Sequence, residues 1–108
     1  MEVQDYLDRI PYAGDKELTE ILSIKNFLVR ARAICEVSIR RITNPEVIEL
    51  LEKYVEDKRP FVASVTVGDF ASAALILLGR REKAKENENV RKFVECGLNL
   101  FQDGKNLN

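Results

Sequence analysis

The chain has 108 residues, 45% of them apolar and 32% charged, with a net charge of −1 and no histidine. That length suits one domain around a single core, and the balance is that of a globular chain rather than a disordered one. The missing histidine excludes Ser-His-Asp and Cys-His nucleophilic systems, zinc-protease helices and the usual near-neutral general base.

Residues 2–10, "EVQDYLDRI", predict a short helix that stops before Pro11, because the residue preceding a proline is pushed out of the α region. "PYAG" then turns the chain. Asp15 reads as an N-cap for "KELTEILSIKNFLVRARAICEVSIRRI", twenty-seven residues without glycine or proline, with acids early and Arg40 and Arg41 late as the helix dipole favours. This segment predicts one long helix. Its apolar residues, among them Leu18, Ile21, Ile24, Phe27, Ile34 and Val37, spread around most of the circumference. The helix is therefore expected to be the centre of a bundle or to meet another chain.

"TNPEVIELLEKYVEDKR" restarts with Asn44 as N-cap and Pro45 at the first helical position. Val47, Leu50, Leu51, Tyr54 and Val55 keep helical spacing on one face, while Glu49, Glu52 and Glu56 face outward with Lys53. Pro60 ends this helix. "FVASVTV" is rich in β-branched residues, but no partner strand is evident, so a bend or short helix is expected over 61–67. Thr66 and Asp69 have the spacing of a capping box, opening a helix through "FASAALILLGRREKAK" whose small residues 71–74 permit close approach of a neighbour. In "NENVRKFVECGLNLF" the residues Val90, Phe93, Val94, Gly97, Leu98 and Phe101 share one helical face, and the tail 102–108 is expected to fray. The sum is a single all-α domain over 1–108, a bundle of four to five helices with one long central helix.

Two cysteines, Cys35 and Cys96, are too few for a disulfide framework or a structural metal site, and both are expected to be buried reduced thiols. The first twenty-two residues carry six acids against Arg9 and Lys16 and no apolar stretch of secretory type, so an intracellular, cytoplasmic setting is expected. Positions 61–79 are long enough to test as a membrane span. Asp69 would lie at its centre, where a carboxylate costs about 2.5–3.5 kcal/mol, and no membrane partner is expected.

Charge alternates along the chain: −4 over residues 1–22, +4 over 23–41, −4 over 42–57 and +3 over 58–108. Such blocks suit complementarity between adjacent helices or between copies placed head to tail. The basic positions are Arg40 and Arg41, Lys58 with Arg59, and Arg80, Arg81, Lys83 and Lys85. Solvated helix ends, dipole compensation and a Glu36–Arg40 pair account for them without a ligand. Brought onto one face, Arg40, Arg41, Lys58, Arg80, Arg81 and Lys83 would follow a phosphate backbone, with contacts that are independent of sequence and weaken steeply with salt. Aromatic stacking partners are scarce, since most phenylalanines read as core, leaving Tyr6, Tyr12 or Tyr54. The row Glu49, Glu52 and Glu56 points along one helix rather than converging on a metal, so it reads as a solvated or subunit-contact face. No cofactor, metal or catalytic constellation is expected.

The stretch "EVSIRRITNPEVIELLEKYVEDKR", positions 36–59, following a long apolar helix, resembles the small (belly) subunit of archaeal type I-A CRISPR interference complexes, the Csa-type small subunits. The likeness lies in a basic-Ile turn, an Asn before a new helix, the amphipathic helix that follows, and overall size. It implies a non-enzymatic helical protein that packs beside copies of itself within a larger ribonucleoprotein, supporting the guide-target duplex or the displaced DNA strand. A protein-only adaptor or homo-oligomeric bundle with no nucleic-acid role is the other class that these residues allow.

Overall fold

The computed structural model of the protein describes residues 2–62, 64–81 and 87–98. Among these residues the chain is all-α, with six helices and one two-stranded sheet. Helix α1 covers Val3–Arg9, closed at its start by a reciprocal box between Glu2 and Asp5. Helix α2 covers Asp15–Leu22; its N-cap is Gly14, so Asp15 is the first helical residue rather than the cap.

The single long helix expected over 16–42 is two helices. After α2 the chain breaks at Ser23 and restarts at Asn26, whose side-chain oxygen accepts from the amides of Leu28 and Val29 at 2.9 and 3.1 Å. Helix α3 then runs over Phe27–Ile39. Three carbonyls at the break are used: Leu22 O accepts from Tyr54 Oη, Ile24 O from Arg30 Nε and Lys25 O from Arg59 Nη1, at 3.0, 3.2 and 2.6 Å. A break whose orphaned acceptors are satisfied costs far less than one left open to a dry core.

Helix α3 ends in a Schellman turn, with Ile42 N on Val37 O and Arg41 N on Ser38 O, and Arg41 takes the left-handed position at φ 57°. Helix α4, Pro45–Tyr54, begins as its sequence predicts: Asn44 caps Val47 N at 2.9 Å and Pro45 occupies the first turn. Residues 60–62 and 64–66 form neither a bend alone nor a helix. They make strands β1, Pro60–Val62, and β2, Val65–Thr66, paired antiparallel with an irregular register. The partner strand lay within the same β-branched run, and Pro60, which lacks an amide hydrogen, sits at the strand's first residue where none is required.

Helix α5, Val67–Leu77, is the centre of the molecule in place of the expected long helix. Every residue from Val67 to Leu75 is buried, and it packs against α3, α4 and α6, the last covering Glu88–Glu95. A helix apolar on all sides is stable only when enclosed, and Ala71, Ser72, Ala73 and Ala74 supply the thin surface that three neighbours can approach. Four phenylalanines link the layers edge to face and then face to face: Phe27 to Phe61 at 6.4 Å, Phe61 to Phe70 at 5.2 Å, and Phe70 stacked on Phe93 at 4.8 Å. Of the cysteines, Cys35 is buried and its thiol is pushed up to about 12 by that burial, whereas Cys96, expected inside, is exposed at the end of α6. The helical face expected around Val90 is buried at Val90 and Leu98; its last member, Phe101, and the tail 102–108 lie outside the described residues. Among the described residues no helix is long and apolar enough to cross a membrane.

Candidate functional site

The start of α5 is built by a reciprocal capping box. Thr66 Oγ1 accepts from Asp69 N at 3.2 Å, and Thr66 N donates to Asp69 Oδ2 at 3.0 Å. The second carboxylate oxygen of Asp69 accepts from Asn87 Nδ2 at 3.0 Å, while Asn87 Oδ1 caps α6 by accepting from Val90 N at 2.9 Å. One nearly buried carboxylate thus fixes the starts of two helices. Over this junction lies a polar cleft of about 580 Å³, lined in part by Glu56, Lys58, Arg81 and Asn89.

The cleft brings together two of the basic candidates, Lys58 and Arg81, from segments more than twenty positions apart, with Glu56 of the acidic row. Arg80 is exposed just after the left-handed Gly79 that closes α5, and Arg41 is exposed at the end of α3. Glu49 and Glu52 are exposed on α4 as the helical period requires. Among the described residues, none of Arg41, Lys58, Arg80, Glu49, Glu52 or Glu56 enters an ion pair. Lys83 lies outside the described residues.

Arg40, unlike Arg41, Lys58 and Arg80, enters ion pairs. It pairs with Glu36 at 2.8 Å, as the i, i+4 spacing predicts, but its guanidinium also turns inward to the α1–α2 connection. There it donates to Ala13 O at 2.5 Å, Ile10 O at 3.0 Å and Pro11 O at 3.2 Å. Its donors are spent on the chain's own carbonyls, which removes it from the accessible basic surface. Tyr54, named with Tyr6 and Tyr12 as a stacking partner, is buried, with Arg30 3.8 Å above its ring; Tyr12 is the exposed tyrosine, at 89%.

Sequence reasoning missed a second cluster, around Asp57. Its carboxylate accepts from Arg30 Nη1 at 3.0 Å, Arg59 Nε at 2.9 Å, Arg59 Nη2 at 2.7 Å and Arg59 N at 3.2 Å. The Arg59 hydrogen bonds, joined by Arg30 and opposed by desolvation, hold its pKa down at about 2. The reciprocal interaction raises that of Arg59, and burial raises that of the Tyr54 phenol against the pull of Arg30. The local signal was the pair Lys58-Arg59 at a helix end, but Arg30 and Lys25 lie far back in the chain, and no periodicity connects them to it. Among the described residues no three His, Cys, Asp or Glu side chains converge in a way that could hold a metal ion. No family model, curated protein or solved structure matches the chain.

Proposed function

We propose that the protein is a non-enzymatic small helical subunit of a type I CRISPR RNA-guided DNA-interference complex, acting in the cytoplasm. On this reading it packs against sister subunits through the row Glu49, Glu52 and Glu56, and touches the guide-target duplex or displaced strand through Arg41, Lys58, Arg80 and Arg81. The observation that carries the reading is the division of charge. Acidic side chains stand exposed along α4, cations stand exposed at the ends of α3 and α5, and among the described residues Glu49, Glu52, Glu56, Arg41, Lys58 and Arg80 enter no ion pair. Complementary charge of this kind sets register and orientation between copies, and a row of copies turns a weak backbone contact into an extended track by effective concentration. Phosphate contacts require no base-reading geometry and no strongly basic single copy once the subunit is held in an assembly.

The test is co-purification of the tagged chain from its native host at low salt, followed by nuclease treatment and mass spectrometry of what remains. Recovery with guide RNA and several larger subunits is the expected result, and Arg80→Glu should then release nucleic acid at lower salt. A lone homo-oligomer free of nucleic acid overturns the reading. That outcome would favour a protein-only adaptor using the same acidic face of α4.

A further inference from the structure

A second pocket, of about 370 Å³, opens where the α2–α3 break meets the end of α4, and seven residues line it. Four are cations, Lys25, Arg30, Lys53 and Arg59; two are carboxylates, Glu56 and Asp57; the seventh is Tyr54. The lining therefore carries +2 in a chain whose total is −1. Asp57 is already counted in that figure, and its oxygens accept four donors from Arg30 and Arg59. Two guanidiniums on one carboxylate leave a fixed local surplus of one positive charge. Lys25 and Lys53 add two more and Glu56 takes one away, which leaves the +2; both lysines are exposed, and neither is in an ion pair among the described residues.

The two guanidiniums and the backbone at Lys25 are also held in place. Arg59 Nη1 donates to Lys25 O at 2.6 Å, so the backbone that carries Lys25 is tied to the pocket floor. Arg30 is clamped between the Tyr54 ring and Asp57, and Lys53 projects from the last turn of α4. Guanidiniums fixed before binding keep the floor's charge in place when an anion arrives, while the two lysine side chains are ordered on binding. An isolated carboxylate presents one charge in one plane, whereas a phosphate offers oxygens in several directions to donors converging from different elements.

We propose that this pocket is a phosphate-group site, with Lys25 and Lys53 as the contacting cations and the Arg30–Asp57–Arg59 cluster as the positively charged floor. That the site is anionic in preference rests on the pocket alone; that the phosphate is a phosphodiester of a nucleic-acid strand rests on the function proposed above. None of Arg41, Lys58, Arg80 or Arg81 takes part in it.

The test compares wild type, the double variant Lys25→Gln/Lys53→Gln and the control Lys16→Gln, an exposed lysine on α2 that does not line the pocket. Two probes are used: inorganic pyrophosphate, read as a rise in melting temperature at constant ionic strength, and a fluorescein-labelled oligothymidylate, read by anisotropy against salt. The double variant should keep its fold, lose the pyrophosphate-induced rise, and bind the oligonucleotide about tenfold more weakly with a salt slope reduced by about 1. The control should match wild type. Pyrophosphate binding that depends on Lys25 and Lys53, with no oligonucleotide binding by any variant, keeps the site and overturns the nucleic-acid reading. Oligonucleotide binding equal in wild type and double variant keeps that reading and overturns the site. A melting temperature of wild type indifferent to pyrophosphate overturns the site as well.

Discussion

Gly68 and Val55 meet backbone against backbone: a Cβ at Gly68 would lie 2.4 Å from the Val55 carbonyl oxygen and 3.0 Å from that of Asp57. The approach is sealed by a hydrogen bond from Gly68 N to Asp57 O at 2.8 Å and another from Val67 N to Arg59 O at 3.1 Å. It is this contact that sets the first turn of α5 against the end of α4. Both the polar cleft and the cationic pocket depend on it, since Lys58 lines one and Asp57 and Arg59 line the other.

Replacing a helical glycine by alanine ordinarily stabilises a protein by about 0.5–1 kcal/mol, through the entropy of the unfolded chain. At Gly68 the sign reverses, because the new methyl meets backbone carbonyls that have nowhere to go. Gly68→Ala should lower stability by about 2 kcal/mol, within the range of overpacked sites. A urea midpoint that falls with an unchanged m-value is the expected result; an unchanged or higher midpoint would contradict the close approach.

Asp57 makes stability depend on acid. Its pKa is lowered from 3.8 to about 2 in the folded protein, so the unfolded chain binds the proton more tightly than the folded one. The stabilisation is present in full above pH 5 or so and is lost as pH falls from about 4 through about 2, where the folded carboxylate itself takes up a proton. The shift corresponds to about 2 kcal/mol. Asp57→Asn should flatten that part of the profile in urea melts taken across acid pH. It should also cost about 3 kcal/mol at pH 7, since Arg30, only 11% exposed, would be left without its counter-ion. A variant that retains the wild-type acid slope would show that another carboxylate is responsible.

The starts of α4 and α5 were legible because their signals are local. Asn44 with Pro45, and Thr66 with Asp69, act on amides within three residues, and the structure forms both caps as the spacing predicts. Exposure of Glu49 and Glu52 was legible for a similar reason, since it follows from helical period alone. The break between α2 and α3 has one local mark, Asn26, inside a run with no glycine or proline; three hydrogen bonds from Tyr54, Arg30 and Arg59 hold the break open, and two of those residues lie over thirty positions away. The same distance hid the two roles of arginine. Arg40 reaches back to Ile10 and Ala13, and Arg30 forward to Asp57, and charge blocks read along the chain cannot tell such half-buried fasteners from a surface cation. The strand pair was missed because it spends only five residues, in a run too short for alternation to separate strand from helix.

Arg41 separates a backbone requirement from a charge requirement at one position. It holds φ 57° at the point where α3 must turn, with Ile42 N returning to Val37 O at 3.0 Å, while Gly79 and Gly97 fill the equivalent place after α5 and α6. A non-glycine residue in this region carries a steric cost of about 1 kcal/mol that glycine does not. Arg41→Gly should therefore raise the melting temperature or leave it unchanged, even though the unfolded glycine chain has more freedom to lose. Arg41→Val, β-branched, should destabilise by more than 1 kcal/mol or so. If the guanidinium touches a phosphate backbone, Arg41→Gly should at the same time weaken nucleic-acid binding and reduce its salt slope by about 1. Gain of stability with loss of binding would mark Arg41 as a residue kept in a strained conformation for its charge, whereas gain of stability with unchanged binding would confine its surface role to solvation.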